Sequence, residues 1–411
     1  MANKTLSSAT RAKNDEFYTQ LTDIEKELKH YRKHFKGKTV LCNCDDPFES
    51  NFFKYFVLNF NRLKIKKLIA TCYSTSTVAG THLKLHTRSS DGQMSLSFNL
   101  TGELAIESEE TKRKPYKAIV NAVHDTNGDG GIDMLDVVEL FKSGENQLAE
   151  LDGDGDFRSD ECIELLKESD IVVTNPPFSL FREYIYTLIK HDKNFIVIGN
   201  QNAITYKEIF PLLMSNRMWL GNNSGDMSFT VPNYYEPRET RYWQDETGQK
   251  WRSMGNICWF TNLDIKKRHE EMILVKRYNE DDYPKYDNYD AINVNRTADI
   301  PYDYDGVMGV PITFMDKYTP DQFEIIGLAP ERLSENESSL QVKRYKNAVQ
   351  HKKDGTTCNG NKVNDGPTLL HDVQPLKYPY YTSETVPNKY IEVLYARILI
   401  RNKHPEVPKG D

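Results

Sequence analysis

Asn175, Pro176, Pro177 and Phe178 stand between the apolar run "DIVVT" (170–174) and "SLFREYIYTLIKH", whose spacing is helical. The prolines fix φ and remove two N–H donors, leaving a rigid turn with outward carbonyls and a defined Asn side chain. In an open α/β sheet, ligand crevices lie outside the carboxyl ends of the strands, where this turn falls. The arrangement suits methyl transfer to an aromatic amine. The exocyclic nitrogen of adenine is a poor nucleophile because its lone pair is delocalised into the ring. Two acceptors, the Asn175 side-chain oxygen and the Pro176 carbonyl, can take its two N–H groups and draw the nitrogen toward tetrahedral geometry. The freed lone pair then attacks an electrophilic methyl in line, with orientation as the main catalytic contribution. Phe178 would stack on the base, which must first leave the duplex. A proline turn that only caps a strand is the plainer alternative; the preceding strand and following helix favour a site.

The elements that must position this turn follow from periodicity. "LTDIEKELKHYRKHF" has helical spacing at Leu21, Ile24, Leu28, Tyr31 and Phe35, ending at Gly37. "KTVLCNC" reads as a buried strand, "SNFFKYFVLNF" as a helix with Ser50 as N-cap, and "KKLIATCY" as a second strand. Residues 74–117 are polar with short alternating pieces and read as a peripheral hairpin. "CIELLKE" is helical, "DIVVT" and "NFIVIGN" are strands, "YKEIFPLLM" is a helix with a proline inside, and "MGNICWFTNL" is a later strand. Apolar strands alternating with helices predict a parallel sheet covered on both faces. From about residue 266 the rhythm stops, and a Tyr-, Asn-, Asp- and Pro-rich remainder predicts a second, irregular α+β domain. Its strand candidates are "GVMGVPITFM", "FEIIGLA" and "RILIRN".

Asn-Pro-Pro-Phe resembles motif IV of the amino-methyltransferases that use S-adenosylmethionine. "DEFYTQ" (15–20) resembles their motif X, and "VLCNCDDPFESNFF" (40–53) occupies the place of motif I. With "GDGDF" and "IGNQNAITYKEIF", the wording over residues 14–265 is similar to the EcoRI-type modification methylase family of adenine-N6 DNA methyltransferases. The resemblance implies a Rossmann-like class I methyltransferase sheet over residues 1–268, with an insertion at about 74–150, and a DNA target-recognition domain over 269–411. It implies that Phe17, Tyr18 and Thr19 hold the methionine end of the cofactor, with Asp45, Pro47, Ser50 and Asn51 nearby. Motif I here lacks its usual glycines. No acid ends the second strand, where "LIATCYS" offers only Tyr73, so Asp46 becomes the candidate for the ribose hydroxyls. The resemblance also assigns Asp156 to the cofactor's adenine amine and Phe157 to the face of that ring.

"LDGDGDFRSDE" (151–161) has the look of a calcium loop, but from Asp152 its sixth, eighth and twelfth positions are Phe157, Ser159 and Ile163 instead of glycine, an apolar residue and an acid. "DTNGDGGIDMLD" (125–136) fits better. Asp125, Asn127, Asp129, Gly131, Asp133 and Asp136 fall at positions 1, 3, 5, 7, 9 and 12, with Gly130 at the turn. A structural calcium and an unmetallated Asx-rich loop both remain open there, and neither makes the metal catalytic.

The chain carries a net charge of −7 at pH 7, distributed unevenly. Residues 101–170 hold 19 acids and 7 bases, which leaves the rest at +5. Basic stretches such as "KHYRKHFKGK" and "VKRYKNAVQHKK" are compatible with a polyanionic partner, although each alone also reads as a solvated face. Six cysteines without a CxxC pair read as reduced thiols. No run of eighteen apolar residues and no signal-like apolar segment occur, so a cytoplasmic protein without a membrane partner is expected. The expected partners are double-stranded DNA and a cognate restriction endonuclease sharing its target site. The competing functions are methylation of RNA adenine or a protein glutamine, and a non-enzymatic calcium-dependent binding module.

Overall fold

Strand β1 (Tyr18–Thr19) leads into helices α1 (Leu21–Leu28) and α2 (Arg32–Phe35). The computed structural model describes residues 17–44, 50–72, 115–126, 128, 132, 140–141, 144–231, 235–330 and 341–406, with the backbone of 85–87 and 94–96. The single helix expected over 21–35 is broken at 29–31. There His30 N and Tyr31 N bond three residues back, to Glu27 O and Leu28 O, and the turn tightens. The apolar period survives the break, because Ile24, Leu28, Tyr31 and Phe35 are all fully buried.

Strands β2 (Thr39–Cys42) and β3 (Lys67–Thr71) flank α3 (Asn51–Leu58) and α4 (Phe60–Leu63). Ser50 caps α3 as expected, its hydroxyl accepting from Phe52 N at 3.1 Å and Phe53 N at 3.4 Å. Beyond the antiparallel hairpin β4 (Leu85–Thr87) and β5 (Met94–Leu96) come β6 (Tyr116–Val120), β7 (Gln147–Glu150), α5 (Asp160–Glu168) and β8 (Ile171–Thr174). Helix α6 (Phe181–Lys190) leads to β9 (Asn194–Asn200), and α7 (Phe210–Met214) to β10 (Trp219–Val231), β11 (Tyr242–Gln244) and β12 (Lys250–Thr261). Pro211 lies in the first turn of α7 instead of its interior, where a missing N–H costs no intrahelical bond.

The main sheet runs β1-β10-β12-β9-β8-β2-β3-β6-β7, with β11 beside β12. β9-β8-β2-β3 is parallel; β12 joins β9, and β6 joins β3, antiparallel. The expected parallel sheet is therefore the centre of a mixed one. β2 and β8 are buried at every residue, as strands covered on both faces must be. Strands β6 and β7, which the sequence placed in an insertion, belong to this sheet. Their weak signal has a cause: β6 alternates buried and half-buried positions, and β7 buries one residue of four. The chain goes from β2 outward to β3 on one side, and from β8 outward to β9 on the other. The carboxyl ends of β2 and β8 thus form a topological switch point, where an α/β sheet opens its ligand crevice.

Backbone packing divides the chain into two units, residues 1–200 with 220–265, and 201–219 with 266–411. The excursion 201–219 goes with the second unit, where the Arg268 guanidinium lies 3.7 Å from the Trp219 ring centroid and bonds Asn216. That unit is mostly β. One sheet runs β13 (Ile292–Asn293), β14 (Met308–Pro311), β21 (Arg397–Asn402), β15 (Phe323–Ala329). The other is antiparallel: β17 (Thr357–Asn359), β16 (Val349–His351), β19 (Tyr380–Thr382), β20 (Tyr390–Val393), β18 (Thr368–His371). Against the α+β expectation, the helical segments described there are the five-residue α7 and short 3₁₀ turns. "ITFM" forms such a turn instead of extending β14.

Candidate active site

Asp170 fixes the start of β8. Its carboxylate accepts from Thr39 N at 2.8 Å and pairs with Lys38 at 3.3 Å, tying β8 to the start of β2. Asn175 follows the strand directly and is 8% exposed. Asn175 Nδ2 donates to the carbonyl of Phe17 at 2.6 Å, while Asn175 Oδ1, buried, has no hydrogen-bond partner. A buried amide oxygen without a donor costs about 1–3 kcal/mol, a cost the fold carries here at a switch point. After Pro176 and Pro177, a 3₁₀ turn closes with Leu180 N to Pro177 O at 2.9 Å. It carries Phe178, half-buried, whose ring stacks on Phe17 at 5.6 Å and 26°. Phe17 also packs against Phe229 and Tyr235, and Tyr235 stacks on Tyr242 at 6.4 Å.

Phe17 thus meets the turn after β8, and Tyr18 and Thr19 follow it as strand β1. β1 pairs with β10, and Asn51 Nδ2 donates to Thr19 O at 2.8 Å, so the start of α3 holds the same edge strand. The Thr19 hydroxyl is buried and unpartnered. Ser50 and Asn51 are spent locally, one as a helix cap and one as this tether. Asp45, Asp46 and Pro47 lie outside the described residues.

At the neighbouring strand end, Gly155 has φ +78, and a Cβ there would sit 2.1 Å from the carbonyl oxygen of Cys72. Only glycine lets the acidic loop press against the end of β3 in this way. Asp156 and Phe157 follow directly. Asp156 Oδ1 accepts from Arg158 N at 2.8 Å and Nε at 2.9 Å, and Oδ2 from Arg158 Nη2 at 2.6 Å. Burial pushes the Asp156 carboxyl up, but Arg158's hydrogen bonds and charge outweigh it and hold the group below the usual carboxylate range. Arg158 reaches on to Glu183 at 2.7 Å and lies 5.3 Å from the Phe157 ring centroid. Phe157 is buried with its ring edge-on to Tyr184 at 5.0 Å. The Tyr184 hydroxyl donates a short hydrogen bond to Asn43, the residue that follows β2. Burial, together with Cys44, raises the Tyr184 pKa well above that of a free phenol, so it stays a donor. Asn43, Tyr184, Gly155 and Arg158 were not singled out in the sequence. Asn43 alone had a visible signal, since it directly follows a buried strand.

Of the calcium-like loop, Asp125 is described, and its carboxylate accepts from Gly128 N at 2.6 Å in a local turn. Asn127, Asp129, Gly131, Asp133 and Asp136 lie outside the described residues. Among the described residues no group of three His, Cys, Asp or Glu side chains is placed to hold a metal ion.

The turn after β8 thus sets an unpartnered Asn oxygen before two prolines at the switch point of an α/β sheet, and the family model of adenine-specific methyltransferase EcoRI matches residues 5–403. The chain belongs to the EcoRI adenine-specific methyltransferase family. The type II methyltransferase M.EcoRI of Escherichia coli is 48% identical over 328 residues, covering 79% of this chain and 89% of that protein. M.MpnI of Mycoplasma pneumoniae is 36% identical over 327 residues, 77% and 83% of the two chains, and M.MgeORF184P of Mycoplasma genitalium is 36% identical over 326 residues, 77% and 84%. No solved structure matches this chain. As a member of this family the chain is a DNA adenine methyltransferase that uses S-adenosylmethionine. That sets aside the RNA, protein-glutamine and calcium-module alternatives. No helix among the described residues is long and apolar enough to cross a membrane.

Proposed function

We propose that the turn after β8 is where the EcoRI-family chemistry takes place, on an adenine turned out of the duplex. The observation that carries this is the buried, unpartnered Oδ1 of Asn175, whose Nδ2 is already committed to Phe17 O. Oδ1 and the Pro176 carbonyl accept the two protons of the adenine N6 amine and favour its tetrahedral form. Phe178 stacks on the base and replaces the neighbours it lost in the helix. S-adenosylmethionine, when bound, supplies the electrophilic methyl on a sulfonium.

The cofactor fits the rest of the crevice, in keeping with a Rossmann-like class I methyltransferase sheet. Tyr18 and Thr19 face its methionine end, where the unpartnered Thr19 hydroxyl offers a hydrogen bond. Asp45, Pro47, Ser50 and Asn51 are the candidates for the same methionine end, and Asp46 for the ribose hydroxyls. A carboxylate has about four acceptor sites and Arg158 fills three on Asp156, so Oδ2 keeps one for the cofactor's adenine amine. Phe157 packs against that ring. The second unit, with residues 269–411, reads the DNA sequence. A cognate endonuclease sharing the target site fits the type II names of the relatives, and both proteins would work in the cytoplasm.

The test is transfer of labelled methyl from S-adenosylmethionine to duplex DNA, followed by nucleoside analysis. Wild type yields N6-methyladenine, and Asn175→Ala loses about 100- to 1000-fold in turnover while binding the cofactor within about twofold. Full turnover by Asn175→Ala would remove the acceptor role.

A further inference from the structure

Phe17 acts on the turn after β8 from two directions. Its carbonyl holds Asn175 Nδ2 at 2.6 Å, and its ring stacks on Phe178 at 5.6 Å and 26°. The terminal torsion of an Asn side chain is soft and nearly two-fold, so a free amide presents oxygen or nitrogen almost indifferently. Binding the NH2 group to a fixed carbonyl removes that choice and leaves the oxygen as the only group facing away. The carbonyl is itself well fixed. Tyr18 and Thr19 pair with Thr230 and Phe229 on β10, and Thr19 O is held by Asn51 at 2.8 Å. On the ring side, Phe229 at 5.7 Å and Tyr235 at 6.0 Å pack against Phe17.

We infer that Phe17 is a positioning residue for methyl transfer, setting the Asn175 amide so that Oδ1 meets the adenine amine and holding the Phe178 ring at the base-stacking angle. This deepens the reading of Asn175 as acceptor and rests on it. It differs from a cofactor-binding role for Phe17, because it places the effect of the residue on turnover and not on cofactor affinity. An N–H acceptor displaced by about 1 Å costs on the order of 100-fold in rate, so a loosened Phe17 is felt at Asn175 although it touches neither reacting atom.

The experiment compares full-length wild type, Phe17→Leu, Asn175→Ala and the double variant. It measures turnover at saturating S-adenosylmethionine, cofactor affinity by equilibrium titration, and the thermal midpoint. Phe17→Leu is expected to lower turnover about 10- to 100-fold with cofactor affinity within about twofold. In the double variant the losses combine to less than their product, because the part of the Phe17 effect that runs through the Asn175 amide is already gone while the part that runs through Phe178 remains. If Phe17→Leu does not fold, Phe17→Met keeps the buried volume without the ring and is read the same way. Tenfold weaker cofactor binding with turnover intact, unchanged turnover in Phe17→Leu, or losses that multiply in the double variant would each overturn the inference. Asn175→Ala alone with full turnover defeats the parent reading instead, so the two failures are distinguishable.

Discussion

Two acceptors stand at the carboxyl edge of the main sheet, Asn175 buried and Asp156 half-buried, and the protein treats them oppositely. Asn175 is neutral; one end of its amide is anchored and its oxygen is left bare. Asp156 is charged and receives three hydrogen bonds from one arginine. The difference follows from the cost of desolvation. A bare amide oxygen costs a few kcal/mol at most, which a domain can tolerate to keep a site ready. A buried carboxylate without a partner costs far more and would take up a proton instead. A neutral acceptor can therefore wait for its ligand, whereas a charged one must be satisfied beforehand and can offer only what remains.

Exchanging the two groups is the most direct way to break this comparison. Asn175→Asp puts a carboxylate opposite the Phe17 carbonyl, and the donor to that carbonyl is lost. Turnover is expected to fall by about 100-fold or more, and a rate profile should show a group titrating well above the usual carboxylate range. Retained activity at neutral pH would mean that the oxygen's charge and the amide anchor do not matter.

Gly155→Ala tests how the charged acceptor is placed. Its Cβ would meet the Cys72 carbonyl at 2.1 Å in a left-handed conformation, and the loop must move. A loss of about 2–4 kcal/mol in denaturant unfolding is expected, along with weakened cofactor binding in the folded fraction. An unchanged midpoint would show that the loop is not pinned to β3.

The smallest effect sharpens the arginine's part. The folded pKa of Asp156 lies below its unfolded value, so its contribution to stability is fully present above the unfolded value near 3.8. That contribution is lost only as pH falls through the folded value. Cofactor affinity should accordingly stay flat from neutral pH down to about 5 in wild type. In Arg158→Ala burial remains and the opposing hydrogen bonds are gone, so the acid limb moves upward. Identical acid limbs in the two proteins would show that Arg158 does not hold the carboxylate ionised.

How legible these features were depends on where their physical cause lies. Strands β2, β3, β8 and β9 announce themselves because strands buried on both faces must be apolar throughout. Ser50 announces α3 because an N-cap is chemistry within four residues. Strands β6 and β7 stay hidden, since their half-buried faces are decided by which strands they join. Residues 201–219 could not be assigned to the second unit from periodicity, because the partners of Asn216 and Trp219 come from Arg268, far along the chain.

The sequence by itself carried the kind of reaction, through its likeness to the EcoRI methyltransferase family, and the rigidity of Asn-Pro-Pro-Phe, whose prolines fix the turn in covalent form. It also placed Asp156 and Phe157 as a pair ahead of β8. Only the tertiary structure decided which way those groups are offered. Asn175 takes its orientation from a carbonyl 158 residues away, and Asp156 its depth from a glycine pressed on Cys72. Orientation is a matter of ångströms between distant segments, and no local pattern of residue types encodes it.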